Sequence, residues 1–370
     1  MLESAIHIRN LFKIFGPKPH SMLRHVRNGI SKLEILDKHK HVVALNNVNI
    51  EMPANRIQVI MGLSGSGKST FIRHVNRLIE PTIGDIHVAG QNVLEMNPRS
   101  LRNFRRFRVS MVFQHFALLP HRTIIDNIAY GLTIQNSAAN STAGRMTRWL
   151  DRVGSTRMSE SEIEKRSRKW LDRVGLTGFD GYYPGQMSGG MQQRVGLARA
   201  LATDAEILLM DEPFSALDPL IRTDMQEVLL GLQEELHKTI IFITHDLNEG
   251  LRIGDNIAIL RDGVIVQNGT PQDIILHPAD QYVSDFTKDI NRGRVLQVSS
   301  IMEVHTPRNG PRVDQNMVIE DALVVLSAAH ASSATVTCED KPVGSISLEK
   351  MISVLANSDG NGVLNRHNTH

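Results

Sequence analysis

Cysteine is nearly absent from this 370-residue chain: Cys338 stands alone. A single thiol excludes an internal disulfide and any zinc site built from several cysteines, and it fits a reducing compartment. Long apolar runs are missing too. No stretch of about 18 apolar residues, the length of a membrane-spanning helix, occurs anywhere. The opening MLESAIHIRN lacks the basic segment and apolar core of a secretory signal. Neither sign of charge dominates. Forty-one Lys and Arg against 39 Asp and Glu leave a net charge of +2, which argues against a dedicated nucleic-acid binder, although 16 His add positive charge below neutral pH. The 41% hydrophobic and 22% charged fractions exclude wholesale disorder. The expectation is a soluble, cytosolic, two-domain protein.

The chain then reads as follows. Residues 6–15 are a strand running into the turn Gly16-Pro17-Lys18-Pro19. Leu23, Val26, Ile30 and Leu33 recur at helical spacing and predict one amphipathic helix over about 21–38. Its basic face suits a membrane surface, but packing on the domain or on a second copy is the plainer use of such a helix. Val42–Met52 and Arg56–Met61 are strands, and the second leads through a glycine loop into a helical pattern over 69–79. That is the opening of a parallel α/β sheet. Residues 83–93 predict a hairpin, 109–113 a strand, and about 124–205 a mostly helical stretch. Ile207–Met210 and Thr239–Thr244 are short apolar runs of the buried parallel type. Asp262-Gly263 marks a further hairpin. The character changes at about 295, and 358–370 form a polar tail. Arg148-Trp149-Leu150-Asp151-Arg152-Val153-Gly154 recurs 21 residues later as Lys169-Trp170-Leu171-Asp172-Arg173-Val174-Gly175, a local duplication that lengthens a helical insertion.

Gly62-Leu63-Ser64-Gly65-Ser66-Gly67-Lys68-Ser69-Thr70 carries the phosphate chemistry. Glycines at these positions let backbone N–H groups converge on phosphate oxygens, and the following helix turns its positive end to the same anion. In this GxxxxGK[ST] pattern Lys68 reaches the outer phosphates and the Ser69 hydroxyl ligates Mg²⁺. Asp211 and Glu212 end an apolar strand. Alternation along a strand makes them diverge, one toward metal and one toward water, unless they merely cap the helix after Pro213. Ser188, Gly189 and Gly190 open the run MQQRVGLARALA and form a second anion cradle. Two cradles with one lysine-bearing loop suggest that each nucleotide is shared between two subunits. Gln114 offers an amide to metal and water, and His245 follows the strand TIIFIT; taken singly, both are ordinary polar residues at element ends.

In this order these motifs, with Ser215-Ala216-Leu217-Asp218, resemble the ATP-binding-cassette (ABC) ATPases over about residues 5–290. The resemblance implies an α/β P-loop NTPase domain with a helical subdomain, acting as a homodimer on ATP and Mg²⁺. Ser69, Gln114 and Asp211 would serve the metal. Gln114 would couple to the membrane partner, Glu212 would polarise water, and His245 would touch the γ-phosphate. Asp218 would lie at the dimer seam, with Ser188 and Gly190 closing on the opposite ATP. Phe15 matches the aromatic that stacks on adenine, with Phe12 as its rival. Met187 stands where the family usually has Leu, a volume-conserving swap.

More narrowly, VNRLIEPT at 75–82, MVFQHFALLPHRTIIDN, MSGGMQQRVGLARALA and FSALDPLIRTDMQ look like the quaternary-amine importers of glycine betaine, choline and proline. That resemblance implies transmembrane permease subunits, an extracytoplasmic substrate-binding protein acting indirectly, and a peripheral place on the cytoplasmic face of the membrane. The helix over 21–38 is similar to an insertion of that subfamily. Residues 295–357 resemble a small α+β CBS motif, matched over Ala334–Leu355 with Pro342-Val343-Gly344 at its turn; the subfamily typically carries two copies, and this chain has room for about one. Two rivals remain: the same ATPase with another cargo, such as an amino acid, and a soluble ABC ATPase acting on DNA or ribosomes. The cluster Arg102–Arg108, the one nucleic-acid-like feature, reads as a solvated helix face.

Overall fold

The structure, a computed structural model, describes residues 4–114, 117–139, 158–215, 217–304 and 310–356. Backbone contacts divide the chain between Ile265 and Val266. The change of sequence character at about 295 falls inside the second unit.

The first unit begins with strand β1 (Ser4–Phe15). The stretch expected as one helix is two, α1 (Leu23–Arg27) and α2 (Lys32–His39). Gly29 takes a left-handed φ of 80°, and extended Ser31 starts a new helix by accepting from the Glu34 amide at 3.2 Å. The Gly and the N-cap serine outweigh the apolar periodicity that spans them. One face of the pair is used by the domain itself: Met22, Val26 and Ile35 pack with Phe12, Ile14 and Val43 in a small apolar cluster. Leu33 stays 78% exposed.

β2 (Val42–Pro53) pairs antiparallel with β1, and β3 (Ile57–Met61) leads into α3 (Lys68–Val75). β4 (Ile83–Val88) and β5 (Gln91–Asn92) form the expected hairpin and complete a sheet of order β2-β1-β4-β5. α4 (Pro98–Phe107), capped by Asn97, precedes β6 (Val109–Val112). α5 (Ile124–Ala139), α6 (Glu160–Arg173) and α7 (Gly189–Ala202) pack on one another as the helical layer. Ser159 and Glu162 start α6 with a capping box. The second copy of the duplicated block ends α6 and buries Trp170, Leu171 and Val174. The first copy, Ala216 and the tail lie outside the described residues.

β7 (Ile207–Asp211), α8 (Pro219–Leu236), β8 (Thr239–Thr244), α9 (Leu247–Ile253), β9 (Asn256–Arg261) and β10 (Val264–Gly269) follow. The main sheet runs β10-β9-β3-β8-β7-β6, and β9, β3, β8, β7 and β6 are parallel. β3, β7 and β8 are buried at every residue, Gln58, Asp211, Thr239 and Thr244 included, as mostly apolar strands in a sheet covered on both faces are. Their side chains join those of the first sheet around Phe71 in one core.

In the second unit α10 (Pro271–Leu276) and α11 (Gln281–Phe286) precede β11 (Glu303–Val304) and β12 (Arg312–Asp314). Then come α12 (Ile319–Ala328), β13 (Ser333–Cys338), β14 (Lys341–Ser347) and α13 (Leu348–Ala356), with sheet order β11-β14-β13-β12. The turn expected at Pro342–Gly344 sits instead at Glu339-Asp340, whose left-handed φ values of 48° and 62° make the two-residue hairpin, and Pro342–Gly344 lie within β14.

Two predictions follow from packing and burial. Ile35→Ala should lose about 2–4 kcal/mol in urea unfolding, while Leu33→Ala stays within about 0.5 kcal/mol. His74 lies at the end of α3, its Nδ1 2.7 Å from the Thr70 carbonyl, and burial pushes its imidazole down to about 4 from 6.5. The unfolded chain therefore takes the proton first. Stability present above pH 6.5 should fall by roughly 3 kcal/mol as pH drops through about 4, and His74→Leu should flatten that slope in pH-dependent denaturation.

Candidate functional site

Four adjacent strands end on the same side of the parallel sheet. The glycine loop leaves β3, His245 follows β8, Asp211-Glu212 ends β7, and Gln114 lies two residues beyond β6. Parallel order makes this convergence unavoidable, and the carboxyl edge of such a sheet is where ligands bind. A cavity of about 640 Å³ opens there, lined by Phe15, Ser64, Gly65, Gly67, Lys68, Ser69, Thr70, Gln114, Glu212 and His245, with Val42 and Leu63 at its apolar side.

Gly62 and Gly67 adopt φ of 150° and 107°, and a Cβ would strike the Leu260 carbonyl oxygen at 2.0 Å or that of Ala44 at 2.6 Å. Only glycine lets the loop pack this tightly, with the Ser66 amide bonded to the Leu63 carbonyl at 3.2 Å and the loop curled at the cavity wall where an anion would sit. Ser66 Oγ is buried without a hydrogen-bond partner. The Lys68 ammonium donates to the carbonyls of Gly62 at 2.8 Å and Leu63 at 3.2 Å and lies 3.8 Å from Glu212 Oε1. Burial lowers its pKa, and Glu212 and Asp211 oppose that shift.

The two acids diverge: Asp211 is the last residue of β7, and the left-handed backbone of Glu212 just beyond it turns the second carboxylate away. Asp211 is fully buried and accepts from Ser69 Oγ at 2.8 Å and from the Arg73 guanidinium at 3.3 Å. Glu212, at φ 48°, turns into the cavity, where Gln114 Nε2 lies 3.4 Å and His245 Nδ1 3.1 Å from its Oε2. Neither acid caps α8; Asp218 does, accepting from the Ile221 amide at 3.1 Å. Ser69 hydroxyl, Asp211 carboxylate and Gln114 amide are the hard oxygen donors Mg²⁺ prefers. No cluster of three His, Cys, Asp or Glu suited to a metal occurs among the described residues, so a cation here would take its remaining ligands from phosphate and water.

Phe15 is 41% exposed at the cavity mouth, with Lys13 Nζ 4.7 Å from its ring centre. Its rival Phe12 is buried in the small apolar cluster. The second cradle stands apart. Ser188, Gly189, Gly190 and Asp218 do not line this cavity. Ser188 caps α7 by accepting from the Met191 amide at 3.3 Å, and Ser188, Gly189 and Asp218 are exposed. Met187 is buried, as the Leu it replaces would be. Arg73 escaped the sequence reading, although its place four residues after Ser69 puts both on one helix face. Phe15→Ala should raise the Kd for a fluorescent adenine nucleotide about fivefold to twentyfold, as loss of one stacking platform does, whereas Phe12→Ala should lower the melting temperature and leave that Kd unchanged.

A family model described as ABC transporter matches residues 45–215. The glycine betaine transport ATP-binding protein OpuAA of Bacillus subtilis is 48% identical over 311 residues, covering 83% of this chain and 69% of that protein. The trimethylamine N-oxide transport system ATP-binding protein TmoW of Pelagibacter ubique is 40% identical over 354 residues, covering 95% of this chain and 97% of that protein. Among solved structures, a dimeric ATP-binding cassette in a post-hydrolysis state bound to ADP and Pi matches with a TM-score of 0.58 and 29% identity, over 72% of this chain and 98% of that one. With its phosphate loop, Glu212, Gln114 and His245 gathered in one cavity and Asp211 buried against Ser69, the chain belongs to the ATP-binding subunits of ABC transporters, in the quaternary-amine importer family.

Proposed function

We propose that this chain is the ATP-hydrolysing subunit of an importer for a quaternary amine: glycine betaine, choline or proline betaine. The observation that carries the ATPase reading is the meeting of Lys68, Gln114 and His245 around Glu212. The glycine loop and Lys68 hold the phosphates. Glu212 orients a water and accepts its proton as the oxygen attacks the γ-phosphorus and the bond to the β-phosphate oxygen breaks. His245, against the same carboxylate, holds Glu212 and reaches the γ-phosphate. Ser69, Asp211 and Gln114 would hold Mg²⁺, which would neutralise charge on the phosphates. Such chemistry depends on positioning and electrostatics more than on covalent intermediates.

Two copies would share each ATP, the loop of one facing Ser188 and Gly190 of the other. The separation of the second cradle from the chain's own cavity supports that arrangement. The dimer would work on transmembrane permease subunits from the cytoplasmic face of the membrane, fed by a substrate-binding protein. No helix among the described residues is long and apolar enough to cross the membrane itself. The run β13, β14, α13 supports reading 295–357 as a CBS-like regulatory motif. The cassette does not touch cargo, so the cargo rests on relatives such as OpuAA. Trimethylamine N-oxide is the second cargo reading, favoured because TmoW is matched over 97% of its length.

Glu212→Gln should cut ATP turnover by about two to four orders of magnitude while retaining ATP binding. In cells lacking this chain, wild type but not Glu212→Gln should restore uptake of labelled glycine betaine, choline, proline betaine or trimethylamine N-oxide. Wild-type turnover in Glu212→Gln overturns the site assignment, and absence of all four uptakes overturns the cargo class.

A further inference from the structure

We infer that Arg222 is a positioning residue for hydrolysis, tying the loop that ends in Asp218 to the His245–Glu212 pair. Arg222 lies one turn into α8. One terminal nitrogen donates to Asp246 Oδ2 at 2.9 Å, the residue after His245, and the other to the Leu217 carbonyl at 3.2 Å, the residue before Asp218. Its Nε is buried with no acceptor, so among the described residues these two bonds orient the guanidinium. A planar fork suits this double grip, and a lysine ammonium offers a single point charge in its place.

The two ends of this clamp matter because of what they touch. Asp246 accepts from the Glu249 amide at 3.2 Å and so fixes the start of α9 immediately behind His245. His245 in turn faces Glu212 at 3.1 Å. On the other side, Leu217 and Ile221 pack under Gly190, where a Cβ would meet their side chains at 3.3 and 3.2 Å. Arg222 thus joins the floor of the second anion cradle to the residue pair of the first. Packing of α8 on α9 does not need it: Gln226 donates to Glu249 at 3.2 Å, and Arg252 donates to Gln226 and Glu227, each at 3.1 Å. A clamp redundant for packing but placed between two loops of the site is a positioning device.

The inference rests on the roles proposed above for Glu212 and His245, so His245→Ala is measured beside it. Arg222→Gln breaks both bonds. Asp246→Asn breaks the charge pair but keeps a good helix cap, so α9 still forms. Each should lower kcat for ATP about tenfold with KM within twofold and melting temperature nearly unchanged. The double variant should lose no more than Arg222→Gln alone, because the pair that Asp246→Asn removes is already broken there. Arg222→Lys keeps the charge pair with Asp246 but loses the second grip on the Leu217 carbonyl, so it should recover only part of kcat. Additive losses, a rise in KM equal to the loss in kcat, or wild-type kcat in Arg222→Gln would overturn the inference. If His245→Ala itself keeps wild-type kcat, the underlying site reading fails instead.

Discussion

The register of four parallel strands governs this molecule. β3, β8, β7 and β6 are aligned so that Met61 is opposite Thr244, Asp211 opposite Ile243 and Val112 opposite Met210. Chain direction is shared, so the loops after all four strands emerge on one edge, and each delivers a different polar group there. A slip of one residue in β7 would exchange Asp211 and Glu212, since side chains alternate. It would aim the buried carboxylate at the cavity and the cavity carboxylate at α3. The strands are mostly apolar, and the polar groups of the site stand at the end of β7 or one or two positions beyond the other strands.

Charge is balanced locally at that edge. Lys68 and Arg73 bring two positive groups to two carboxylates, and each carboxylate has further hydrogen-bond donors. An unpaired carboxylate as deep as Asp211 would cost several kcal/mol, so Arg73 and Ser69 are requirements of the fold as well as assets of the site. Lys68 rests on two carbonyls of its own loop, bonds it can exchange for phosphate oxygens with the ammonium nearly in place. That preorganisation spares reorganisation at the moment of binding.

The glycine loop, the acid pair and the strands were legible because their signals are local: a fixed spacing, an apolar run, a turn dipeptide. Errors arose where two local signals competed. Apolar spacing bridged Gly29 and Ser31, yet backbone φ and an N-cap decided the break. Pro342 looked like a turn residue but is the second residue of β14, opposite Thr337, and the tighter Glu339-Asp340 turn sets the hairpin. Resemblance alone sets Phe15 ahead of Phe12 in the sequence, since alternation cannot separate them: β1 is irregular, Asn10 takes φ 49° and register shifts follow, so Leu11 and Phe12 are both buried. Arg222 carried no local signal at all. Its partners lie five and twenty-four positions away, and only the packing of α8 on α9 brings them together.

The two anion cradles present a geometric problem with one economical solution. Ser188 and Gly189 are exposed at the start of α7, and Asp218 is exposed at the start of α8, with Gly190 packed against Leu217 and Ile221 between them. None of them lines the cavity of Lys68 and Glu212. Free amides and a serine hydroxyl left in solvent would bind phosphate weakly by themselves, since water competes for every donor. Set against the open phosphate face of a second copy, the same donors would be desolvated and their electrostatic worth would rise. A nucleotide would then be held from both sides only while two chains are together, and its hydrolysis would remove the reason for them to stay so.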